Sequence, residues 1–380
     1  MFSVTASPTA AVARAPPSRR ARRVAARASA EPSDVSTAST ASTASPATDR
    51  VTLGTSDLSV SATGVGAWAW GDRSGYWTDD WKGQRVENLE AYKTLLRSGV
   101  DFIDTAEVYG FGKSEELLAE FAKDVAGETD LAAPALATKF APIPFRWSAE
   151  DVPRALEASL KRLGAKKTAL YMQHWPAFGF GADGCNERFL EGLCLCYERG
   201  LCDAVGVSNF NADRVKAAAR VFKARGVPFA SNQIQYSLVY RAPELDTGVI
   251  EACREHGVTP VAYSPMAQGL LTGKYSASAS AQSVKGPRGG IFTESRLSDV
   301  DGLIQTLREV GDVHGKTPAQ VAVNWCMAKG TVPIPGAKNA SQAASVAGCL
   351  GWRVSEAEMQ ALEKAAAMAP KSPGAPFEKW

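Results

Sequence analysis

From about Val51 onward, short apolar runs alternate with longer stretches whose apolar residues recur at helical spacing. The runs predict strands at 64–68 (GVGAW), 101–105 (DFIDT), 135–140 (ALATKF), 169–175 (ALYMQHW), 204–209 (AVGVSN), 230–236 (ASNQIQY), 259–264 (TPVAYS) and 331–335 (TVPIP). Helical patterns lie between them at 87–98, 114–121, 150–163, 187–199, 212–225, 247–256, 318–328 and 341–347. Thr317, Pro318 and Gln320 form a helix start with an N-cap, a first-turn proline and a capping-box partner. Gly99, Gly164, Gly200, Gly226 and Gly257 each stand where a helix must close before the next strand. Eight repeats of strand, helix and glycine predict an α/β fold, a (β/α)8 TIM barrel. The weakly alternating segment 51–61 (VTLGTSDLSVS) predicts a short N-terminal β-hairpin across the barrel's N-terminal mouth.

Composition changes this picture mainly at the ends. The first 30 residues hold Arg14, Arg19, Arg20, Arg22, Arg23 and Arg27 without one acid, and they lead into the repetitive STASTASTASPAT of 36–48. This is the composition of an organelle transit peptide, with the hydroxyl-rich part favouring a chloroplast; a disordered surface tail is the alternative. The chain accordingly divides into a leader (1–49), a barrel (50–367) and a C-terminal tail (368–380). The formal charge of the whole is +2, and removing the six arginines of residues 1–30 leaves −4, a mildly acidic remainder that gives no reason to expect nucleic-acid binding. No apolar run reaches the ~20 residues of a transmembrane segment. Seven cysteines without a Cys-x-x-Cys spacing argue against a disulfide framework and a zinc site, and no metal is expected.

Barrel enzymes place their chemistry at the C-terminal ends of the strands and in the loops that follow. In DFIDTAEVYG, Asp104, Glu107 and Tyr109 follow a strand within a few residues, where a simple turn needs neither a phenol nor two carboxylates. Lys139, His174, Ser208, Asn209, Gln233, Tyr263 and Ser264 occupy equivalent strand ends. Taken singly, each has an ordinary structural reading: a cap, a packed aromatic, a lysine reaching solvent. Together, Asp104, Tyr109, Lys139 and His174 are complementary. A cation near a phenol lowers its pKa, an acid keeps a buried lysine charged, and an imidazole orients a carbonyl oxygen. Acid, tuner, anchor and orienter describe the reduction of a carbonyl.

With GVGAW, DFIDTAEVYG, ATKF, YMQHWP, VGVSNF, SNQIQYS, AYSPMAQGLLTGKY and VPIPGAKN in order, the sequence resembles the aldo-keto reductases over roughly 51–367. It is similar to their chloroplast-type plant and algal members, among them pyridoxal reductases. The resemblance implies NADPH as cofactor, bound without a Rossmann fold, and a catalytic tetrad of Asp104, Tyr109, Lys139 and His174. It implies that Ser208, Asn209 and Gln233 hold the nicotinamide carboxamide, that Tyr263 stacks on the ring, and that Ser264, Pro265, Met266, Ala267, Gln268 and Lys274 cover the pyrophosphate. Ala67, Trp68 and Asp104 complete the nicotinamide side, and Gly336, Lys338 and Gln342 the adenosine side. Trp68, Trp147 and Trp175 are expected to wall the substrate pocket. Ser345 and Val346 stand where relatives often carry an acid and an amide, and Arg288 is a candidate for a cofactor-side arginine.

These features imply an NADPH-dependent reductase of aldehydes or ketones, with a small carbonyl compound as its partner. An alternative from another class is an NADP(H)-sensing regulatory subunit, as in channel-associated relatives. Those relatives typically have Asn where this chain has His174, which favours the enzyme. A phosphosugar isomerase is a third reading, disfavoured because no glycine-rich phosphate loop follows the seventh strand.

Overall fold

The computed structural model describes residues 49–371 except 78, 79, 81, 129, 179–181 and 276–286. The leader up to residue 48 and the tail from 372 lie outside the described residues. Asp49, placed last in the leader, is buried and paired with Arg353 at 2.6 Å.

Strands β1 (Arg50–Thr52) and β2 (Ser59–Ser61) pair antiparallel as the expected hairpin. Eight parallel strands follow: β3 (Val65–Gly66), β4 (Phe102–Asp104), β5 (Ala135–Phe140), β6 (Thr168–Gln173), β7 (Cys202–Ser208), β8 (Phe229–Gln235), β9 (Thr259–Tyr263) and β10 (Val332–Ile334). They neighbour one another in chain order, and the sheet closes where Gly64 and Gly66 donate their N–H groups to Pro333 and Pro335 at 2.9 and 3.0 Å. The hairpin turn seals the N-terminal end. Leu53 is fully buried there, and Gly54 donates to Thr259 Oγ1 at 2.8 Å. A Cβ on Gly54 would stand 2.2 Å from the Phe229 carbonyl oxygen, so only glycine permits this approach.

Phe102, Ala137, Leu170, Met172, Ala204, Ala230, Val261 and Val332 fill the barrel's centre as one apolar cluster. The helices carry two larger clusters outside it. They are α1 (Arg85–Arg97), α2 (Lys113–Asp124), α3 (Asp151–Leu163), α4 (Ala182–Glu198), α5 (Ala212–Arg225), α6 (Ala242–Leu245), α7 (Val249–Glu255), α8 (Glu294–His314), α9 (Pro318–Ala328), α10 (Ala340–Ala347) and α11 (Glu356–Met368). The capping box at Thr317 and Gln320 forms as expected, and the five predicted closing glycines all have positive φ, between 62° and 80°. Helices α6, α8 and α11 were not foreseen in the sequence. Because the barrel interior is packed solid, polar side chains at the C-terminal strand ends have nowhere to go but the cavity above it.

Candidate active site

Lys139, on β5, has no exposed surface and is the hub of the site. Its ammonium donates to Asp104 Oδ2 at 2.6 Å and to the Thr105 carbonyl at 2.8 Å, and it lies 3.4 Å from the Tyr109 hydroxyl. Asp104, at the end of β4, also accepts from Gln233 Nε2 at 2.8 Å. His174 follows β6; its backbone N–H is tied to the Phe140 carbonyl at 2.8 Å, and its ring stands 5.4 Å from that of Tyr109. The four residues expected to act together are therefore together. His174 Nδ1 is buried and makes no hydrogen bond among the described residues, and the residue lines the cavity described below.

Burial sets the electrostatics. It pushes the Asp104 carboxyl up and the Lys139 ammonium down, against the mutual attraction of the pair. Burial, followed by the Lys139 charge, drives His174 well below its ordinary value, so the imidazole is neutral. The expected lowering of the Tyr109 pKa by Lys139 does not appear. Burial, then the negative charge of Asp104, raises Tyr109 well above its ordinary value. Burial of the phenol is the larger cause, and Asp104, which holds the lysine at 2.6 Å while the phenol stands 3.4 Å from it, adds to the rise.

Above this hub opens a cavity of about 1230 Å³. Ser208, Asn209, Gln233 and Tyr263 line it and hold one another: Ser208 Oγ donates to the Gln233 carbonyl at 3.0 Å, Asn209 Nδ2 to the His174 carbonyl at 3.0 Å, and Tyr263 Oη to Asn209 Oδ1 at 2.9 Å. Asn209, Ser264, Ala267 and Gln268 all have φ between 48° and 60°, a conformation uncommon for non-glycine residues and enriched at functional sites. Pro265, Met266, Lys274, Gly336, Lys338 and Gln342 also line the cavity, and the Lys338 N–H donates to Gln342 Oε1 at 2.8 Å.

Two expected residues stand elsewhere. Ala67 is fully buried off the cavity, its carbonyl taken by Ser114 Oγ at 3.0 Å. Trp147 does not line it; the residue is 58% exposed, and its backbone is held by Asp151 and Arg188. Trp68 and Trp175 do line it, joined by Tyr76 and Trp77, which had not been singled out. Tyr76 stacks on Trp68 with ring centres 5.2 Å apart, and its hydroxyl donates to Gln268 across the cleft. Arg296, in the first turn of α8, was also missed. The Arg288 side chain lies outside the described residues.

The lining suits a dinucleotide. It carries three cations, Lys274, Arg296 and Lys338, while Asp104, already paired with Lys139, is its only carboxylate among the described residues. Cations without competing acids are what phosphates require.

The family model described as Aldo/keto reductase family matches residues 62–367. A chloroplastic pyridoxal reductase of Arabidopsis thaliana is 38% identical over 328 residues, covering 83% of this chain and 86% of that protein. An aldo-keto reductase of Schizosaccharomyces pombe whose name specifies NADP(+) is 29% identical over 297 residues, covering 73% and 82%. Among solved structures, a thermostable aldo-keto reductase crystallised with the inhibitor epalrestat superposes with a TM-score of 0.62 at 28% identity, covering 83% of this chain and 99% of that one. A glycerol dehydrogenase from Gluconobacter oxydans gives a TM-score of 0.70 at 24% identity over 86% and 98%, a likeness of fold.

Proposed function

The chain belongs to the aldo/keto reductase family of oxidoreductases, and from that premise we propose that it is an NADPH-dependent reductase of aldehydes and ketones with Tyr109 as proton donor. The observation that carries this reading is the contact of one buried lysine with both Asp104 and Tyr109, beside His174, on the floor of a cation-lined cavity. NADPH, when bound, supplies the hydride that the substrate's carbonyl carbon accepts. Its nicotinamide end would be held by Ser208, Asn209, Gln233 and Tyr263, and its phosphates by Lys274, Arg296 and Lys338.

The chain's own residues manage the proton. As the carbonyl oxygen gains charge it becomes a stronger base than a phenolate, so even a phenol with a raised pKa gives up its proton to it. The Lys139 ammonium, 3.4 Å away, then faces the phenolate and compensates it. Neutral His174 offers the substrate oxygen a ring nitrogen without competing as an acid. The aromatic walls, Trp68, Tyr76, Trp77 and Trp175, exclude water and favour a flat, uncharged substrate. An aromatic aldehyde of the pyridoxal kind fits that wall, and the Arabidopsis relative bears the name of such a reductase. The same relative is named as chloroplastic, which, with the arginine-rich leader, supports a plastid location.

The test is Tyr109→Phe, assayed by carbonyl-dependent oxidation of NADPH. Turnover is expected to fall by about 10²–10⁴, with NADPH affinity nearly unchanged. Unchanged turnover would remove Tyr109 from the mechanism.

A further inference from the structure

Glu107 is the second carboxylate of DFIDTAEVYG, and the proton transfer described above gives it no task. It lies midway between Asp104 and Tyr109 in the chain, yet its side chain turns away from both. Oε1 accepts the backbone N–H of Ala141 at 2.7 Å, and the two oxygens receive the Arg146 guanidinium in a two-pronged pair, Nη2 to Oε2 at 3.0 Å. Arg146 also donates to the Ala141 carbonyl at 2.7 Å and lies 4.8 Å over the Phe140 ring. The ion pair therefore grips the Ala141 residue at both its N–H and its C=O.

That residue is the third of a run, Lys139, Phe140 and Ala141, in which each member reaches a different part of the site. Lys139 contacts Asp104 and Tyr109, the Phe140 carbonyl holds the His174 N–H, and Ala141 is held by Glu107. A surface ion pair seldom stabilises a fold appreciably, but this one is half-buried, bidentate and joined to the backbone, with side-chain exposures of 10% and 21%.

We propose that Glu107 is a positioning residue: by binding Ala141 and Arg146 it fixes the loop that carries Tyr109 against the strand end that carries Lys139, and so sets the distance between phenol and ammonium. Arg146 is its counterpart on the opposite loop. Geometry of this kind matters because a misplacement of about 1 Å costs about a hundredfold in rate. The inference rests on the reading of Tyr109 as proton donor.

The experiment places Glu107→Ala in two backgrounds, native and Tyr109→Phe, and measures kcat for carbonyl reduction, the Kd of NADPH and thermal stability. In the native background kcat is expected to fall by about 10- to 100-fold, with the Kd of NADPH within about twofold. In the Tyr109→Phe background a residue that acts only through the phenol has nothing left to position, so the further fall is expected to stay within about twofold. Glu107→Gln, which still offers Ala141 an acceptor, recovers much of the loss. Equal falls in both backgrounds, or no fall in the native one while Tyr109→Phe is impaired, would overturn the proposal. An unimpaired Tyr109→Phe would instead overturn the proton-donor reading and the proposal with it. Should Glu107→Ala not fold, Arg146→Met carries the same comparison, since it removes the ion pair and the grip on the Ala141 carbonyl while leaving the milder contact of Glu107 with the Ala141 N–H in place.

Discussion

His174 is confined by its neighbours to one charge state. Burial and the nearby Lys139 charge both oppose protonation, so its pKa in the folded chain lies well below the 6.5 of a free imidazole. The unfolded chain takes up a proton below pH 6.5 that the folded one refuses. The site's contribution to stability is therefore fully present above 6.5 and declines as pH falls below it, by at most about 1.4 kcal/mol per pH unit. Urea unfolding at neutral pH and at mildly acidic pH should show this loss in the native protein and a smaller one in His174→Gln. Turnover, by contrast, should show no acid limb centred near 6.5; a limb there that vanishes in His174→Gln would mean that the ring titrates in the folded enzyme. His314, by contrast, meets Glu358 at 2.8 Å on the outer helices and does not line the cavity.

At the scale of elements, the short helix α6 is held by charge rather than by length. Burial works to raise the Glu244 carboxyl, but hydrogen bonds from Arg241, Lys329 and Tyr236 outweigh it and hold the group at about 2. Arg241 and Lys329 also reach Glu363, at 2.7 and 3.2 Å, so the network ties α6 and the end of α9 to α11. A depressed carboxylate stabilises the fold above its unfolded value of 4.5 and loses that contribution as pH falls towards 2. Glu244→Gln should lower stability near neutrality by about 1–3 kcal/mol and flatten the pH dependence of unfolding between 4.5 and 2. These elements also mark what was legible in the sequence. Buried parallel strands are continuous apolar runs, so all eight could be read, with ends shifted by at most two residues. Helix α8 has its own apolar face, Leu297, Val300, Leu303, Ile304, Leu307 and Val310, and α11 begins with the Ser355 and Glu358 capping box. Both were passed over because eight strand and helix pairs already complete a barrel. In the site, residues carried on strand ends were legible from their place in the repeat. Tyr76, Trp77 and Arg296 come from loops and a helix outside it, and nothing in a single sequence says which way those segments cross.

Over the whole molecule, the distribution of charge bears on which cofactor is taken. The part of the chain after the leader is close to neutral in formal charge, so long-range attraction does not draw in a polyanion; the affinity has to be local. Lys274, Arg296 and Lys338 bring three cations to one cavity from different parts of the chain. NADPH exceeds NADH by one phosphate of nearly two negative charges, and charge-assisted contacts to phosphate are worth more than an exposed pair. Lys338 stands just before α10, whose first-turn amides other than that of Gln342, which Asn339 caps, also favour an anion. Arg296 approaches from the first turn of α8, and its guanidinium makes no hydrogen bond among the described residues. The native protein should therefore prefer NADPH to NADH by at least about tenfold in Kd, and the preference should weaken as salt rises. Lys338→Ala and Arg296→Ala should each reduce the preference while changing NADH affinity little, because NADH lacks the group they read. Titration of each protein with both nucleotides, followed by fluorescence, decides it. Equal affinities in the native protein would show that the cavity does not distinguish the two. A preference untouched by Arg296→Ala but lost in Lys338→Ala would leave the lysine and the helix start as the sole readers of the phosphate.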